Sequence, residues 1–383
     1  MVAAIRSHVW PCTTDQGGAG GFVGGNPGQF DIPDPNQSSI PYCHDWLANQ
    51  AHRYVGIAIT QSGEDLSQGF YTYVPNVDEY QDWPQFTVHD NYLIVNHIGG
   101  KASTWVFDAN ALANGVKAGS ALQVQPLLTL STSQFSPTPD GEVVPVNMNG
   151  ESSGVTYLVA ASGNNLVIYG LAAPAGNLSG PPAQMTAATI NLNRALGWVP
   201  SGAVYQNGNL YLADGFCSDN SNPCQTYAVH ILRVPVSASG NSVLANSSAS
   251  AGFLDLPLTS YAVDSNVPVS SYLPALQVTD NGDLVVVYAS GEYSQGKPVG
   301  VYYSVLYHGQ TNLTNAGNLQ AAVGPNCAGT TCTPDPAGGG VIDLAGAALD
   351  PSTDSSKKRS TVWMSHGFAN NQQYTAVLGA VKP

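Results

Sequence analysis

The chain has 383 residues, of which 43% are hydrophobic and only 9% charged, with a net charge of −14. That is apolar material for one large all-β domain or two ordinary ones, and it is too rich in aromatic and β-branched residues for disorder. Acidic residues outnumber basic ones 25 to 11, and the one cationic run is Lys357-Lys358-Arg359 in a polar turn; this excludes nucleic acid as a partner and disfavours an anionic membrane surface.

In chain order, the start MVAAIRSHVWPC has no apolar core of the kind a secretory leader needs. A secreted chain is then expected to have lost its leader, with Met1 at a shortened start. GAGGFVGG from Gly18 follows no strand and opens no helix, so it is not a phosphate loop. DWLANQAHRYV from Asp45 is one of two short helix candidates. VGIAITQSG and GFYTYV read as a strand pair. No window approaches 18 consecutive apolar residues, so no membrane insertion is expected.

From Asp82 a unit recurs. It runs from a polar or aromatic residue through an apolar strand, a D/N/G turn and a second apolar strand to a polar loop. The five copies are DWPQFTVHDNYLIVNHIGG from Asp82, VVPVNMNGESSGVTYLVAASGN from Val143, GWVPSGAVYQNGNLYLADGFC from Gly197, SYLPALQVTDNGDLVVVYASGEY from Ser271 and DLAGAALDPSTDSSKKRSTVWMSHGF from Asp343. HDN, QNGN and DNGD supply the φ > 0 positions of hairpin tips. A third strand follows each copy: STWVFDANAL, NLVIYGL, YAVHILRVPV, VGVYYSVLYHG and YTAVLGAVKP. DANALANGVKAG, after Phe107, is the other helix candidate. A more polar stretch then leads to the next unit.

Repeated four-stranded antiparallel sheets predict an all-β fold, a β-propeller of about five to seven four-stranded blades. The rival is one long β-sandwich or two. Residues 55–383 are expected to form the propeller as a single domain. Residues 1–54 form an N-terminal, disulfide-bearing segment that contributes to ring closure and removes the sheet edges.

Six cysteines fall into pairs by proximity: Cys12 with Cys43, Cys217 with Cys224, and Cys327 with Cys332. The alternative, a zinc site, lacks any C-x-x-C or Cys/His spacing. An even number of cysteines in local pairs predicts disulfides and an oxidising, extracellular compartment. Four N-x-S/T sequons, at Asn36, Asn177, Asn246 and Asn312, are close to chance in a chain so rich in Asn, Ser and Thr.

The D-x-P strand starts, the D-x-N-G-D turns and the closing DLAGAALDP…VWMSHGF resemble secreted bacterial and archaeal proteins with sialidase-like or six- to seven-bladed propellers. The resemblance covers the chain from about residue 55 and implies the fold only. Sialidases proper carry an arginine cluster and S-x-D-x-G-x-T-W boxes. This chain has five arginines, Arg6, Arg53, Arg194, Arg233 and Arg359, and at most a box fragment in TDNGDL at Thr279. No catalytic residue is carried over from that family.

Propeller geometry places a site where first strands begin and second strands end. The entries are Asp82-Trp83, Val143, Trp198, Tyr272 and Asp343. The exits are Asn96-His97, Ser162, Asp214-Gly215-Phe216, Glu292-Tyr293 and His366. Aromatic faces stack on sugar rings and carboxylates bond hydroxyls, so an oligo- or polysaccharide is the expected partner. Asp82, Asp214, Glu292 and Asp343 are the acid/base candidates. His97, His366 and Tyr293 are the proton-transfer candidates. Trp83, Trp198, Tyr272 and Phe216 are the binding candidates. The structural readings are that Asp82 and Asp343 cap turns, that the histidines are satisfied interior residues, and that Trp83, Trp198 and Trp363 fill space between blades. No cofactor is expected. The D-x-D-x-D-G calcium pattern is missing, and a structural calcium held by carbonyls and an Asp stays compatible with the sequence. The expected function is a secreted carbohydrate-active enzyme, a hydrolase or lyase. The alternative is a non-catalytic extracellular binding, adhesion or surface-assembly module.

Overall fold

Apolar runs of four to nine residues, punctuated by Asn, Asp and Gly, cannot form helices of useful length, and here they pair as strands. The computed structural model describes residues 3–8, 54–60, 70–75, 82–98, 103–114, 123–149, 151, 154–174, 180–196, 202–217, 227–258, 270–292, 297–320, 345–350, 358–370 and 373–383. They group into two compact bodies. One comprises Met1–Phe135 with Ala173–Pro182, the other Ser136–Ala172 with Ala183–Pro383. The protein is all-β, and the five sheets among the described residues are open.

The first body holds two four-stranded sheets. β1 (Ala3–His8), β2 (Tyr54–Thr60) and β3 (Phe70–Pro75) pair antiparallel. β4 (Asp82–His89) and β5 (Tyr92–Ile98) form a hairpin turned at Asp90, φ 50°, and β6 (Ser103–Asp108) adds to β5. The first sheet is completed by β7 (Gln123–Val124), parallel to β3, and the second by β8 (Leu128–Ser131) on β6. Between β6 and β7 lies α1 (Ala109–Ala113), the short helix expected after Phe107, where the Asp108 carboxylate accepts from Ala111 N at 2.8 Å. Ile57, Ile59, Tyr73, Leu93, Val95, Trp105 and Phe107 make the core of this body. The Tyr92 hydroxyl donates to Gly180 O at 2.9 Å, which ties Gly180 to β5.

The second body carries the other four repeats. β9 (Val143–Asn147), β10 (Val155–Ser162) and β11 (Asn165–Ala172) are followed by β12 (Ala183–Gln184) and β13 (Ala188–Asn191), both on β11. β14 (Ala203–Gln206), β15 (Asn209–Cys217) and β16 (Tyr227–Ser239) are followed by β17 (Ser242–Ala245) and β18 (Leu254–Pro257), both on β16. Ala203 and Val204 of β14 pair in parallel with Val146 and Asn147 of β9, so these two repeats share one ten-stranded sheet. β19 (Ser270–Val278), β20 (Leu284–Glu292), β21 (Lys297–Leu306) and β22 (Thr314–Gln320) form a four-stranded sheet. β23 (Ala345–Leu349), β24 (Val362–Asn370) and β25 (Gln373–Val381) form the last.

Strand alternation explains the near-continuous apolar runs. In β15, Leu210 and Leu212 enter one core while Tyr211 and Ala213 enter the next; in β16, Leu232 and Val234 part from Val229 and Ile231 in the same way. A sheet buried on both faces leaves no polar stripe in its strands. A third core joins Val285, Val287, Val301 and Val305 to Val362 and Met364 of the last sheet.

The predicted turns are present. Asn207 and Gly208 sit at φ 50° and 75°, which matches the twist of the flanking β14 and β15. Gly282 sits at φ +92°, and a Cβ there would lie 2.5 Å from His308 Nδ1. Gly282→Ala is therefore expected to cost about 1–3 kcal/mol, read as a drop in the urea midpoint at unchanged slope.

Of the helix candidate DWLANQAHRYV, residues 45–53 lie outside the described residues and its last two, Tyr54 and Val55, are strand in β2 rather than helix. Cys12, Cys43, Cys224, Cys327 and Cys332 also lie outside the described residues, and Cys217 ends β15 with its side chain outside them. Trp363, read as filling space between blades, is instead 42% exposed, and its indole N–H donates to Asp350 Oδ1 at 2.9 Å.

Candidate functional site

Asp214 is the candidate acid whose side chain lies among the described residues. It lies in β15 directly opposite His230 of β16, and Asp255 of β18 lies opposite Leu232. Alternation puts 214, 230, 232 and 255 on one sheet face. That face is apolar at Leu210, Leu212, Leu232 and Val234 and turns polar at its end. Arg194, just past β13, reaches this end. Its Nη1 donates to Asp214 Oδ2, and its Nη2 lies 3.5 Å from Asp255 Oδ1. His230 Nδ1 lies 2.5 Å from the same Asp255 oxygen.

Burial decides what each group can do. The Asp214 side chain is 0% exposed, those of Arg194 and His230 16%, and that of Asp255 23%. Burial pushes the Asp255 carboxyl up, but the His230 hydrogen bond and the Arg194 charge outweigh it and hold the pKa below the ordinary value. Asp255 therefore stays ionised and cannot serve as a proton donor near neutral pH. It can orient His230 through Nδ1, the role a carboxylate plays in a carboxylate–histidine pair. Asp214 is a buried anion matched by a guanidinium, an arrangement that fixes structure and gives a substrate no approach.

His366 is 1% exposed, with Nδ1 2.6 Å from Gly367 O and Nε2 3.1 Å from Leu273 O. Burial pushes its pKa down, against the pull of both carbonyls. The ring lies between a carbonyl of β24 and one of β19, where Leu273 takes φ 51°; a neutral imidazole carries one N–H and donates to one of the two.

Other candidates are placed by backbone alone. Asp82 and Trp83 begin β4, with Asp82 opposite Ile98 ahead of a bulge, and His97 lies opposite Ser103. Phe216 lies opposite Ala228, Tyr272 opposite Ala289, and Glu292 opposite Lys297. Their side chains lie outside the described residues, as do Trp198, Tyr293 and Asp343 altogether. Of the proposed set, then, Asp214 is the one seen among other ionisable side chains.

Sequence reasoning missed three of its neighbours. Arg194 counted only toward a missing arginine cluster. His230 shares the apolar strand YAVHILRV with Arg233, which alternation puts on the opposite face, and Asp255 stands as a lone charge in FLDLP. A lone charge in a strand buried on both faces is itself a signal, because it needs a partner there.

A second polar network joins four hairpin tips. Arg359 holds Asp280 through Nε, at 3.2 and 3.1 Å from the two carboxylate oxygens, and through Nη2 at 2.9 Å, and Nη2 also donates to Asn149 O at 2.8 Å. Asn149 Nδ2 donates to Gln206 Oε1 at 2.7 Å and to Val278 O at 3.0 Å, and Gln206 Nε2 donates to Thr279 O at 2.8 Å.

Among the described residues, no group of three or more His, Cys, Asp or Glu could hold a metal ion, and no helix is long and apolar enough to cross a membrane.

No protein-family model matches the chain, and no curated protein matches it. Among solved structures, a hypothetical protein from Leishmania major is similar over 79% of this chain and 85% of its own, at 9% identity and a TM-score of 0.28. A likeness at that level assigns neither fold nor function.

Proposed function

We propose that this chain is a secreted β-propeller module that recognises an oligo- or polysaccharide without cleaving it. The observation that carries the reading is the fate of Asp214, which is fully buried and committed to Arg194. Glycosidic acid/base work needs two accessible carboxyls facing each other across an open cleft, and this one is spent on the fold. His366 is likewise closed between carbonyls. A propeller of about five to seven four-stranded blades is supported by five successive hairpins with a third strand each, and by the parallel contact of β9 and β14. First strands of successive blades run parallel around a propeller axis. The scarcity of charge and the wealth of Ser, Thr, Asn and Gln suit an uncharged glycan, which is bound by hydroxyl-directed hydrogen bonds and aromatic stacking.

The enzymatic reading rests on the His230–Asp255 pair, which has the form of an oriented acid/base. One experiment separates the two. The purified protein is applied to a glycan array and incubated with neutral, acidic and plant polysaccharides, following reducing ends and the ultraviolet absorbance of unsaturated products. Binding without product is the expected result. Product formation abolished by His230→Ala would establish a hydrolase or lyase centred on that pair. Product formation abolished by Glu292→Gln but not by His230→Ala would move the site to the end of β20. Absence of both binding and product would overturn the glycan reading.

A further inference from the structure

Two of the four N-x-S/T sequons fall among the described residues, and both asparagines are exposed. Asn246 follows β17 immediately. Its backbone N–H donates to Pro235 O at 3.1 Å, and its side-chain Oδ1 accepts from Ser248 N at 2.8 Å. That is an Asx turn spanning the sequon from its asparagine to its hydroxyl residue. The turn engages the oxygen of the Asn246 amide, not the nitrogen on which an N-glycan is built. Ser248 opens the 3-10 turn Ala249–Ala251, which lies in exposed chain. Asn312 lies in the loop between β21 and β22, and its sequon hydroxyl, Thr314, is the exposed first residue of β22.

Both sequons also adjoin bare apolar surface. Leu244, 51% exposed, lies two residues ahead of Asn246. Tyr307, 42% exposed, stands at the start of the loop that carries Asn312. A surface with few charges has few other means of keeping such side chains from associating. Sequon number alone carries nothing in this composition; exposure, turn geometry and the neighbouring apolar side chains are independent of it.

We propose that Asn246 and Asn312 are acceptor sites for N-linked glycans that cover Leu244 and Tyr307. This rests on the extracellular part of the reading above. A lipid-linked oligosaccharide is the donor. The asparagine Nδ2 forms a bond to the anomeric carbon of its first sugar, the bond from that carbon to the lipid diphosphate breaks, and one amide proton is lost to the transferase base.

The test is translation of the full chain behind a cleavable signal sequence, in the presence of endoplasmic-reticulum microsomes. The protease-protected product is then mapped by peptide mass spectrometry before and after removal of N-glycans. Modified peptides containing Asn246 and Asn312 are expected, each lost in Asn246→Gln or Ser248→Ala and in Asn312→Gln or Thr314→Ala respectively. The doubly substituted protein is expected to sediment as larger species at concentrations where the glycosylated chain is monodisperse. Recovery of both peptides unmodified in the protected fraction overturns the proposal. Modification in microsomes, together with a cytosolic location of the chain in its own cells, would leave the acceptor chemistry standing and sink the extracellular reading instead.

Discussion

Arg194→Met is expected to lower stability by about 3–5 kcal/mol, the range for removing one partner of a buried ion pair. Asp214 is fully buried, so without the guanidinium its charge stays in a low-dielectric site or is neutralised at a cost. Adding Asp214→Leu to Arg194→Met removes that buried charge, and the double variant is expected to be more stable than the single one. Denaturant midpoints of the four proteins in the cycle read the coupling directly. A loss under about 1 kcal/mol in Arg194→Met would mean that the pair is not what holds this end of β15.

The second large effect belongs to Arg359. Its guanidinium grips both oxygens of Asp280 and the carbonyl of Asn149, and through Asn149 and Gln206 it reaches the tips of β9, β14 and β19. The Arg359 and Asp280 side chains are 29% and 23% exposed, so solvent screens part of the interaction, and Arg359→Met is expected to cost about 1–2 kcal/mol. The pair also sets an acid limit. Burial raises the Asp280 pKa, but the hydrogen bonds and charge of Arg359 win and depress it below the ordinary value. A carboxyl with a depressed folded pKa contributes stability above its unfolded pKa of about 3.9, and that contribution is lost as pH falls through the folded value. Asp255 adds in the same sense. Stability measured from pH 5 down to pH 2 is expected to fall less steeply in Asp280→Asn than in the parent; equal slopes would remove Asp280 from the account.

The sequence made the strands legible and left the site mostly hidden, for one physical reason. Turn chemistry is local: HDN, QNGN and DNGD dictate positive φ within four residues, and each marks a hairpin tip in the structure. Third strands follow because an unpaired edge beside an apolar hairpin must be covered. The helical turn at Ala109–Ala113 was equally local, with Asp108 as its cap. Pairing between side chains is not local. Arg194 meets Asp214 from 20 residues away and Asp255 from 61, and the face that collects them is set by register. The expectation that exit residues stay open to a ligand also failed to weigh burial: the faces of β15 and β24 that carry Asp214 and His366 are covered. Trp363 went the other way, exposed on a face whose neighbours along β24 and β25 alternate inward and outward.

The parallel contact between β9 and β14 sets the size of the cooperative block. In a chain of repeats that touch only face to face, one repeat can open while its neighbour stays intact. Here a continuous backbone ladder runs from β12 to β17. Amide protons of the second and third repeats should therefore exchange with solvent at a common, global rate, while those of the last sheet exchange independently. A truncation that removes one of the two fused repeats strips the other of a row of partners, so neither can be excised to yield a shorter, folded version of this protein.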